Sequence, residues 1–279
     1  MANHTPLVIK VGGALLEDKT AAIHFFSTLK QLMPSVPLVL VHGGGNSVEN
    51  LLKALGLTSE KIDGLRVTPN EHLPYVVGAL AGTVNKTLCG WAMQQGIVPV
   101  GLSLLDGGIC TATQLNEKLG AVGTAKANDP QLLLQVLGNQ QLPIVSSIGA
   151  DANGQLLNVN ADEAAAAIAH ALEAKLVLLS DVPCVLDADM QPIAELNSKS
   201  IEQLIAQGVI NGGMAVKVKA ALQTANQIGN PVIIASWKTP EQLLGLIQGE
   251  AVGTTIHSDA ESNAENIAEY QMKLSSETK

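Results

Sequence analysis

The chain has few aromatic residues and few charged residues for its length. Phe, Trp and Tyr make up 2% of its 279 residues, so we expect no stacking platform for single-stranded nucleic acid. Lys and Arg number 16 against 25 Asp and Glu, a formal net charge of −9. This balance disfavours a nucleic-acid partner, although it leaves room for a locally basic pocket.

Cysteines and long apolar runs are also scarce. Cys89, Cys110 and Cys184 are far apart and lack the spacing of a metal site, which is typical of reduced, packed thiols. Charges and prolines interrupt every apolar run before it could span a membrane. The N-terminus has neither the basic nor the apolar region of a signal peptide. We therefore expect a cytoplasmic protein with no membrane partner and no metal-ligating residues.

What the chain does contain is hydrophobic residues, at 47%, arranged in an alternating pattern. Short apolar runs occur at 7–11, 38–41, 99–104, 142–148, 176–180 and 231–236. Helical spacing occurs at 19–33, 46–55, 74–95, 162–174 and 214–229. This alternation predicts an α/β fold, a three-layer αβα sandwich with a mostly parallel central sheet. Ligands of such folds bind beyond the carboxyl ends of the strands.

The segment 149–159 has the turn chemistry of a loop or short hairpin at Asn153-Gly154. It indicates a boundary between an N-terminal and a C-terminal portion, somewhere between residues 150 and 175. Residues 259–279 lose the apolar periodicity and become polar, so we expect a flexible tail.

Two glycine clusters follow predicted strands, Gly12-Gly13 after Lys10 and the triplet 43–45. Neither fits the dinucleotide fingerprint, and neither contains the Gly-Lys dipeptide of a Walker loop. A single Gly-Gly pair is more often only a tight turn. Two such loops, one next to a lysine, favour an anion site because glycine exposes backbone N–H groups.

The stretch 158–169 opens an alanine-rich helix. Asn160 and Glu163 fit a capping box, which is a structural role. Asn158 and Asp162 are left without an assigned role near a predicted strand end, although an acid in the first helical turn also stabilises the helix dipole.

Lys217 lies at the rim of an apolar helical stripe, whereas Lys219 points away from it. Snorkelling past the core edge would explain this position. A cation in a first helical turn is nevertheless disfavoured by the helix dipole, and a nearby anion would offset that cost.

Arg66 and Asp181 are weaker signals. Arg66 is in a loop-like stretch, where the default is a solvated charge, but its planar fork suits a carboxylate. Asp181 follows a predicted strand, where a carboxylate can accept from a ribose hydroxyl.

Taken together, these segments resemble a known family. The stretches IKVGG, VHGGG, GLRVT, GALAGTVNKTL, VSSIG, NVNADEAA, LLSDVPCVL and GGMAVKVKAA occur in the order found in acetylglutamate kinases of the amino acid kinase family. The resemblance covers roughly residues 7–257. It implies transfer of the γ-phosphoryl group of ATP, with Mg²⁺, to the side-chain carboxylate of N-acetyl-L-glutamate, a step of arginine biosynthesis.

The resemblance also implies roles for domains and residues. An N-terminal lobe, 1–173, would bind the amino acid and dimerise, and a C-terminal lobe, 174–258, would bind ATP. Catalytic positions would be Lys10, Lys217, Asp162, Gly13 and Gly44, with Asp162 holding both ammonium groups. Substrate-binding positions would be Gly44, Gly45, Arg66 and Asn158. Nucleotide-binding positions would be Asp181, Val182, Pro183, Cys184, Val185, Leu186, Val209, Ile210 and Asn211.

Two departures from the family pattern carry expectations. Cys184 stands where a glycine is common, and a side chain at this position would perturb the nucleotide loop. The first predicted strand begins by residue 7, which leaves no room for the N-terminal helix that links dimers in arginine-inhibited relatives. We therefore expect a homodimer without strong arginine feedback.

Other functions remain open at this point. Another kinase of the same family, such as a glutamate 5-kinase, would need an acid beside Arg66 for a free α-amino group, and Asp63 is near in sequence. A non-catalytic amino-acid sensor would have kept the pocket without turnover. The joint presence of Lys10, Lys217 and Asp162 disfavours the sensor.

Overall fold

The computed structural model describes residues 5–259. Its strands are β1 (Leu7–Val11), β2 (Leu38–His42), β3 (Lys61–Ile62), β4 (Leu65–Arg66), β5 (Pro99–Ser103), β6 (Cys110–Gln114), β7 (Val122–Ala127), β8 (Leu142–Ser146), β9 (Ile148–Ala150), β10 (Leu156–Val159), β11 (Lys175–Ser180), β12 (Val185–Leu186), β13 (Pro192–Ile193), β14 (Glu195–Leu196), β15 (Val232–Ser236) and β16 (Thr254–Ile256).

The helices are α1 (Gly13–Glu17), α2 (Lys19–Leu32), α3 (Gly45–Ala54), α4 (Leu73–Val77), α5 (Asn85–Gln94), α6 (Gln131–Gly138), α7 (Ala161–Ala171), α8 (Ser198–Ala206), α9 (Gly212–Ile228) and α10 (Gln242–Gln248). A π-helical segment, Gly78–Val84, joins α4 to α5. No helix in the described range is long and apolar enough to cross a membrane.

The central sheet has the order β14-β16-β15-β11-β1-β2-β8-β5. Its pairings are parallel except that of β15 with β16. Strand β1 lies between β2 and β11, where the direction of chain winding reverses. Ligands of open α/β sheets bind beyond the carboxyl ends of the strands at such a reversal.

Side chains of the central strands alternate between two cores. In β1, Val8 packs into a cluster with α7 and α9, whereas Leu7, Ile9 and Val11 pack into a second cluster with α2 and α10. Helices therefore cover both faces of the sheet. The predicted three-layer α/β architecture with a mostly parallel sheet is confirmed.

Three smaller sheets stand beside the central one among the described residues, and one of them is the antiparallel pair β12 and β13. Strands β6, β7, β10 and β9 form a four-stranded sheet, and β3 pairs with β4 in a short hairpin. The hairpin predicted at 149–159 is present as antiparallel β9 and β10. The predicted run 142–148 instead spans two strands, β8 and β9, which belong to different sheets.

The predicted helices are present, with one local difference. The helix expected over 74–95 contains the π-helical segment Gly78–Val84, which the apolar periodicity did not indicate. Residues 260–279 of the predicted tail lie outside the described residues.

Gly253 provides a test of the packing before β16. Its φ is +63°, and a Cβ there would lie 2.0 Å from the carbonyl oxygen of Ile234. Gly249 is a matched control because its φ is +76° and a Cβ there would meet no neighbouring atom within 4 Å. We expect Gly249→Ala to lower the free energy of unfolding by about 1–2 kcal/mol, the strain of a left-handed alanine. Gly253→Ala should lower it by about 3 kcal/mol or more, since overlap with backbone is added. Equal losses in urea unfolding would contradict the predicted overlap.

Candidate active site

The two glycine loops lie side by side at the carboxyl ends of β1 and β2. A Cβ on Gly13 would lie 3.9 Å from the backbone nitrogen of Gly45, and one on Gly43 would lie 3.3 Å from the Cβ of Ala161. The start of α7 therefore closes the loops from a third side. Glycine is required at Gly44, where a Cβ would lie 2.9 Å from Leu80 and φ is +157°.

A cavity of about 250 Å³ opens between these loops. It is lined by Lys10, Gly12, Gly13, Gly43, Gly44, Gly45, Val48, Lys61, Gly64, Arg66, Leu80, Ser147, Asn158, Val159, Asn160, Ala161 and Asp162. The cavity combines three cationic side chains with one acid, so it suits a small anion. Larger cavities exist elsewhere, including one of about 720 Å³ at the opposite ends of β11 and β15. That cavity contains none of the residues singled out from the sequence.

Lys10 and Asp162, which both line this cavity, form an ion pair with 2.9 Å between Nζ and Oδ1. The Lys10 side chain is 16% exposed and that of Asp162 36%. Asp162 is held in the first turn of α7, whose N-cap Asn160 accepts a hydrogen bond from the Asp162 backbone N–H.

Glu163 does not complete the predicted capping box. Its carboxylate instead accepts a hydrogen bond from the backbone N–H of Ala125 in β7, at 3.0 Å. Burial raises the pKa of the Glu163 carboxyl, and the Ala125 N–H opposes that rise. Glu163 thus fastens the start of α7 to the neighbouring sheet, because a long-range strand amide competes successfully with the local cap.

Arg66 is buried, contrary to the expectation of an exposed loop residue. Its guanidinium donates to the Glu49 carboxylate at 2.7 Å, to the carbonyl oxygen of Gly45 at 2.9 Å and to the Ser59 hydroxyl. Hydrogen bonding from Ser59, and then from Arg66, holds the pKa of Glu49 below its usual value. These contacts fix the arginine at the wall of the cavity, in the short strand β4.

Asn158 lies on β10, at the same cavity. Its Nδ2 donates to the Thr68 hydroxyl at 3.1 Å, and that hydroxyl donates to the carbonyl oxygen of Arg66 at 3.0 Å. The chain of bonds orients the Asn158 amide and leaves its Oδ1 as the acceptor at the cavity wall.

Lys217 pairs with Asp181 and not with Asp162, contrary to the expected shared carboxylate. Asp181 follows β11, and Lys217 lies in the first turns of α9, half-buried as the apolar stripe predicted. The hydrogen bond from Lys217 holds the pKa of Asp181 below its usual value. The structure therefore contains two separate lysine–aspartate pairs, at the ends of the neighbouring strands β1 and β11.

The remaining predicted nucleotide positions lie in the C-terminal part of the chain. Asp181–Leu186 run from β11 into β12, and Val209–Asn211 precede α9. Val185 and Ile210 are buried in one hydrophobic cluster with Val218 of α9. Cys184 is also buried, and burial raises the pKa of its thiol. Val182 and Pro183 lie in the turn between β11 and β12, and Asn211 is the N-cap of α9.

Sequence reasoning missed several residues at the cavity. Lys61 and Ser147 line it, and so does Asn160, to which the sequence assigned only a capping role. Lys61 sits in a two-residue strand, too short to produce a detectable pattern. Ser147 falls at the break between β8 and β9, which a continuous apolar run concealed.

Comparison with known proteins gives consistent similarities. A model of the amino acid kinase family matches residues 5–236. An acetylglutamate kinase of Moritella profunda is 55% identical over 256 residues, which cover 91% of this chain and 97% of that protein. One from Aeromonas salmonicida (strain A449) is 54% identical over 252 residues, covering 90% and 97%. The solved structure of smu.665 from Streptococcus mutans UA159 has a TM-score of 0.72 at 30% identity, covering 91% of this chain and 98% of that one.

Proposed function

The chain belongs to the amino acid kinase family, and we propose that it is an acetylglutamate kinase. It transfers the γ-phosphoryl group of ATP to the side-chain carboxylate of N-acetyl-L-glutamate, giving N-acetyl-L-glutamyl 5-phosphate and ADP, in arginine biosynthesis. The observation that carries this proposal is the small cationic cavity in which Lys10 and Asp162 pair beside two glycine loops.

The charge of the cavity supports an acceptor with two carboxylates. Among the described residues that line it, Lys10, Lys61 and Arg66 are cationic and Asp162 is the only acid. Contacts within the protein engage three of the five N–H donors of Arg66, and the remaining two bind the α-carboxylate. Lys10 and the glycine N–H groups face the side-chain carboxylate, which is the group that attacks.

The cavity also suits an acetylated amine better than a free one. Asp162 is engaged with Lys10, and Asp63 is an exposed turn residue that does not line the cavity. A substrate ammonium would therefore be desolvated without a carboxylate partner. The Asn158 Oδ1 can accept from an acetamido N–H, while Val48 and Leu80 offer apolar surface to its methyl group. These features disfavour the glutamate 5-kinase alternative.

ATP is the co-substrate, held by Asp181–Leu186 and Val209–Asn211 in the C-terminal lobe, 174–258. Lobe 1–173 holds the amino acid. A Mg²⁺ ion would be held mainly by the phosphate oxygens of the nucleotide, and it would neutralise part of their charge. The described part of the chain has no cluster of three or more His, Cys, Asp or Glu side chains that would hold a metal by itself.

Phosphoryl transfer requires two anionic reactants to approach each other in line. The protein therefore contributes mainly their positioning and the stabilisation of negative charge. Lys10 and the N–H groups of Gly13 and Gly44 stabilise charge on the transferred group from the acceptor side. Lys217 stabilises it from the nucleotide side, where the β-phosphate accumulates charge. Asp162 orients Lys10, and Asp181 takes the corresponding place beside Lys217. The acceptor carboxylate attacks directly, so no covalent enzyme intermediate forms.

The acceptor panel is the first test. We expect ATP turnover with N-acetyl-L-glutamate, and a kcat/KM at least about a hundredfold lower with L-glutamate because of the unpaired ammonium. L-aspartate and carbamate complete the panel. Preference for another acceptor would reject the proposed substrate. Binding of N-acetyl-L-glutamate by calorimetry without turnover would instead favour the amino-acid sensor.

Lys217 and Lys219 form a matched pair on α9, the first half-buried and the second exposed. Lys217→Ala should lower kcat about a hundredfold or more while KM changes only a few-fold, because its charge serves the transition state. Lys219→Ala should leave both constants unchanged. Wild-type turnover in Lys217→Ala would remove this lysine from the mechanism.

We further propose that the protein is a cytoplasmic homodimer. Strand β5 is an edge of the central sheet, and the large apolar side chains of Met93 and Val98 beside it are 65% and 57% exposed. A second copy covering this edge would bury both. Light scattering should give twice the chain mass of 28.9 kDa. A monomeric or hexameric mass would contradict the proposal.

A further inference from the structure

A pair of fully buried polar side chains lies beneath the glycine loop, outside the residues assigned so far. His42 ends β2 and Asn85 begins α5, and both have no exposed surface. Buried polar groups are costly unless they are hydrogen-bonded. The hydrogen bonds of His42 and Asn85 therefore indicate their structural role.

The Asn85 amide has a defined orientation. Its Oδ1 accepts from the Lys86 ammonium at 3.0 Å. Its Nδ2, which carries two hydrogens, faces the carbonyl oxygens of Ile144 at 2.8 Å and Leu102 at 3.2 Å, on the neighbouring strands β8 and β5. A flipped amide would place oxygen against oxygen at both carbonyls, so the Nδ2 is fixed as a donor.

The orientation of Asn85 determines the protonation of His42. The Asn85 Nδ2 lies 3.0 Å from His42 Nε2, and an amide NH2 nitrogen donates but does not accept, so Nε2 is the acceptor nitrogen. The two hydrogens are directed to Ile144 and to His42, the two shorter contacts, and the longer contact to the β5 carbonyl oxygen shares one of them. The proton of the neutral ring is then on Nδ1, which donates to the carbonyl oxygen of Gly43 at 2.8 Å. Burial, opposed by the bond to Gly43 and assisted by the charge of Lys86, lowers the pKa of His42 to about 4. The ring is neutral at physiological pH.

The surrounding backbone leaves room for this arrangement. On β5, a Cβ at Gly101 would lie 2.3 Å from Asn85 Oδ1 and 2.4 Å from the Lys86 ammonium. The π-helical segment Gly78–Val84 ends directly before Asn85, and its Val84 side chain lies 3.1 Å from a Cβ built on Gly44. π-helical turns are frequent at functional sites. One helix thus approaches the glycine loop both through apolar packing and through Asn85.

We propose that His42 and Asn85 are positioning residues for phosphoryl transfer, acting through the peptide unit between Gly43 and Gly44. That unit is planar and trans, so its C=O and N–H point in opposite directions. Fixing the Gly43 oxygen toward His42 therefore fixes the Gly44 N–H away from the core, on the cavity side. The inference rests on the proposed function, in which the Gly44 N–H stabilises the transferred phosphoryl group.

The test compares two substitutions at His42. Asn carries a donor at nearly the position of Nδ1, whereas Leu carries none. His42→Leu should lower kcat at least about tenfold, less than the effect of deleting an oxyanion donor outright, with KM changed less than about threefold. His42→Asn should recover most of that loss. Thr28→Val, at a buried hydroxyl on α2, controls for destabilisation of the interior and should retain the wild-type kcat.

A second readout does not depend on activity. The imidazole ¹⁵N shifts of His42 in the wild-type protein, identified by their absence in His42→Asn, should show a neutral ring protonated on Nδ1 at pH 7. A ring protonated on Nε2, or a charged ring, would overturn the proposal even if His42→Leu fails to fold. Equal loss of kcat in His42→Leu and His42→Asn would overturn it as well, since the hydrogen bond to Gly43 would then not matter.

The two proposals can fail separately. The acceptor panel with the wild-type protein decides the reaction, and the His42 variants are compared on whichever acceptor the wild type uses. If the wild-type protein turns over a different acceptor, the proposed substrate is wrong. The ratio of kcat between His42→Asn and His42→Leu, measured on that acceptor, still tests the positioning role. If no acceptor is turned over, the ring tautomer decides whether His42 fixes the Gly43 carbonyl.

Discussion

The ion pair between Lys10 and Asp162 is the contact around which the site is organised. It joins the central strand β1 to the first turn of α7, and those two elements also carry the glycine loop and the N-cap Asn160. Because the pair is partly buried, removal of either charge would leave the other poorly compensated. The bond from Ala125 to Glu163 then fixes the same helix end to the sheet that carries Asn158. These few contacts therefore fix the charged pair of the cavity, the first turn of α7 and the cavity wall at Asn158.

Much of the fold could be predicted because its elements are specified locally. The apolar runs of β1, β2 and β11 are short and covered on both faces, and the intervening helices have apolar stripes at helical spacing. Apolar spacing along the sequence is enough to identify a strand that is covered on both faces, or the face of a helix that packs on a sheet. The two glycine loops were found for the same reason, since each stands at a strand end.

The pairing of side chains could not be predicted in the same way. Lys217 forms an ion pair with Asp181, and Arg66 forms one with Glu49. Glu163 accepts a hydrogen bond from a backbone N–H thirty-eight residues away in sequence. Each partner is determined by how separate helices and strands pack against each other. A local sequence pattern does not indicate which side chains on separate elements lie close together. The π-helical segment before Asn85 was not predicted either, because apolar spacing does not distinguish a π-helical turn from an α-helical one.

The two outer strands of the central sheet differ in length. Strand β5 has five residues, whereas β14 at the other edge has two, Glu195 and Leu196. A two-residue edge presents too few free N–H and C=O groups to template another strand, which is one way natural sheets resist aggregation. Within residues 5–259, the central sheet can therefore be extended at β5 but not at β14. A sheet with one extendable edge can add one copy by two-fold symmetry and then stops, so the short strand β14 protects the central sheet against open-ended growth.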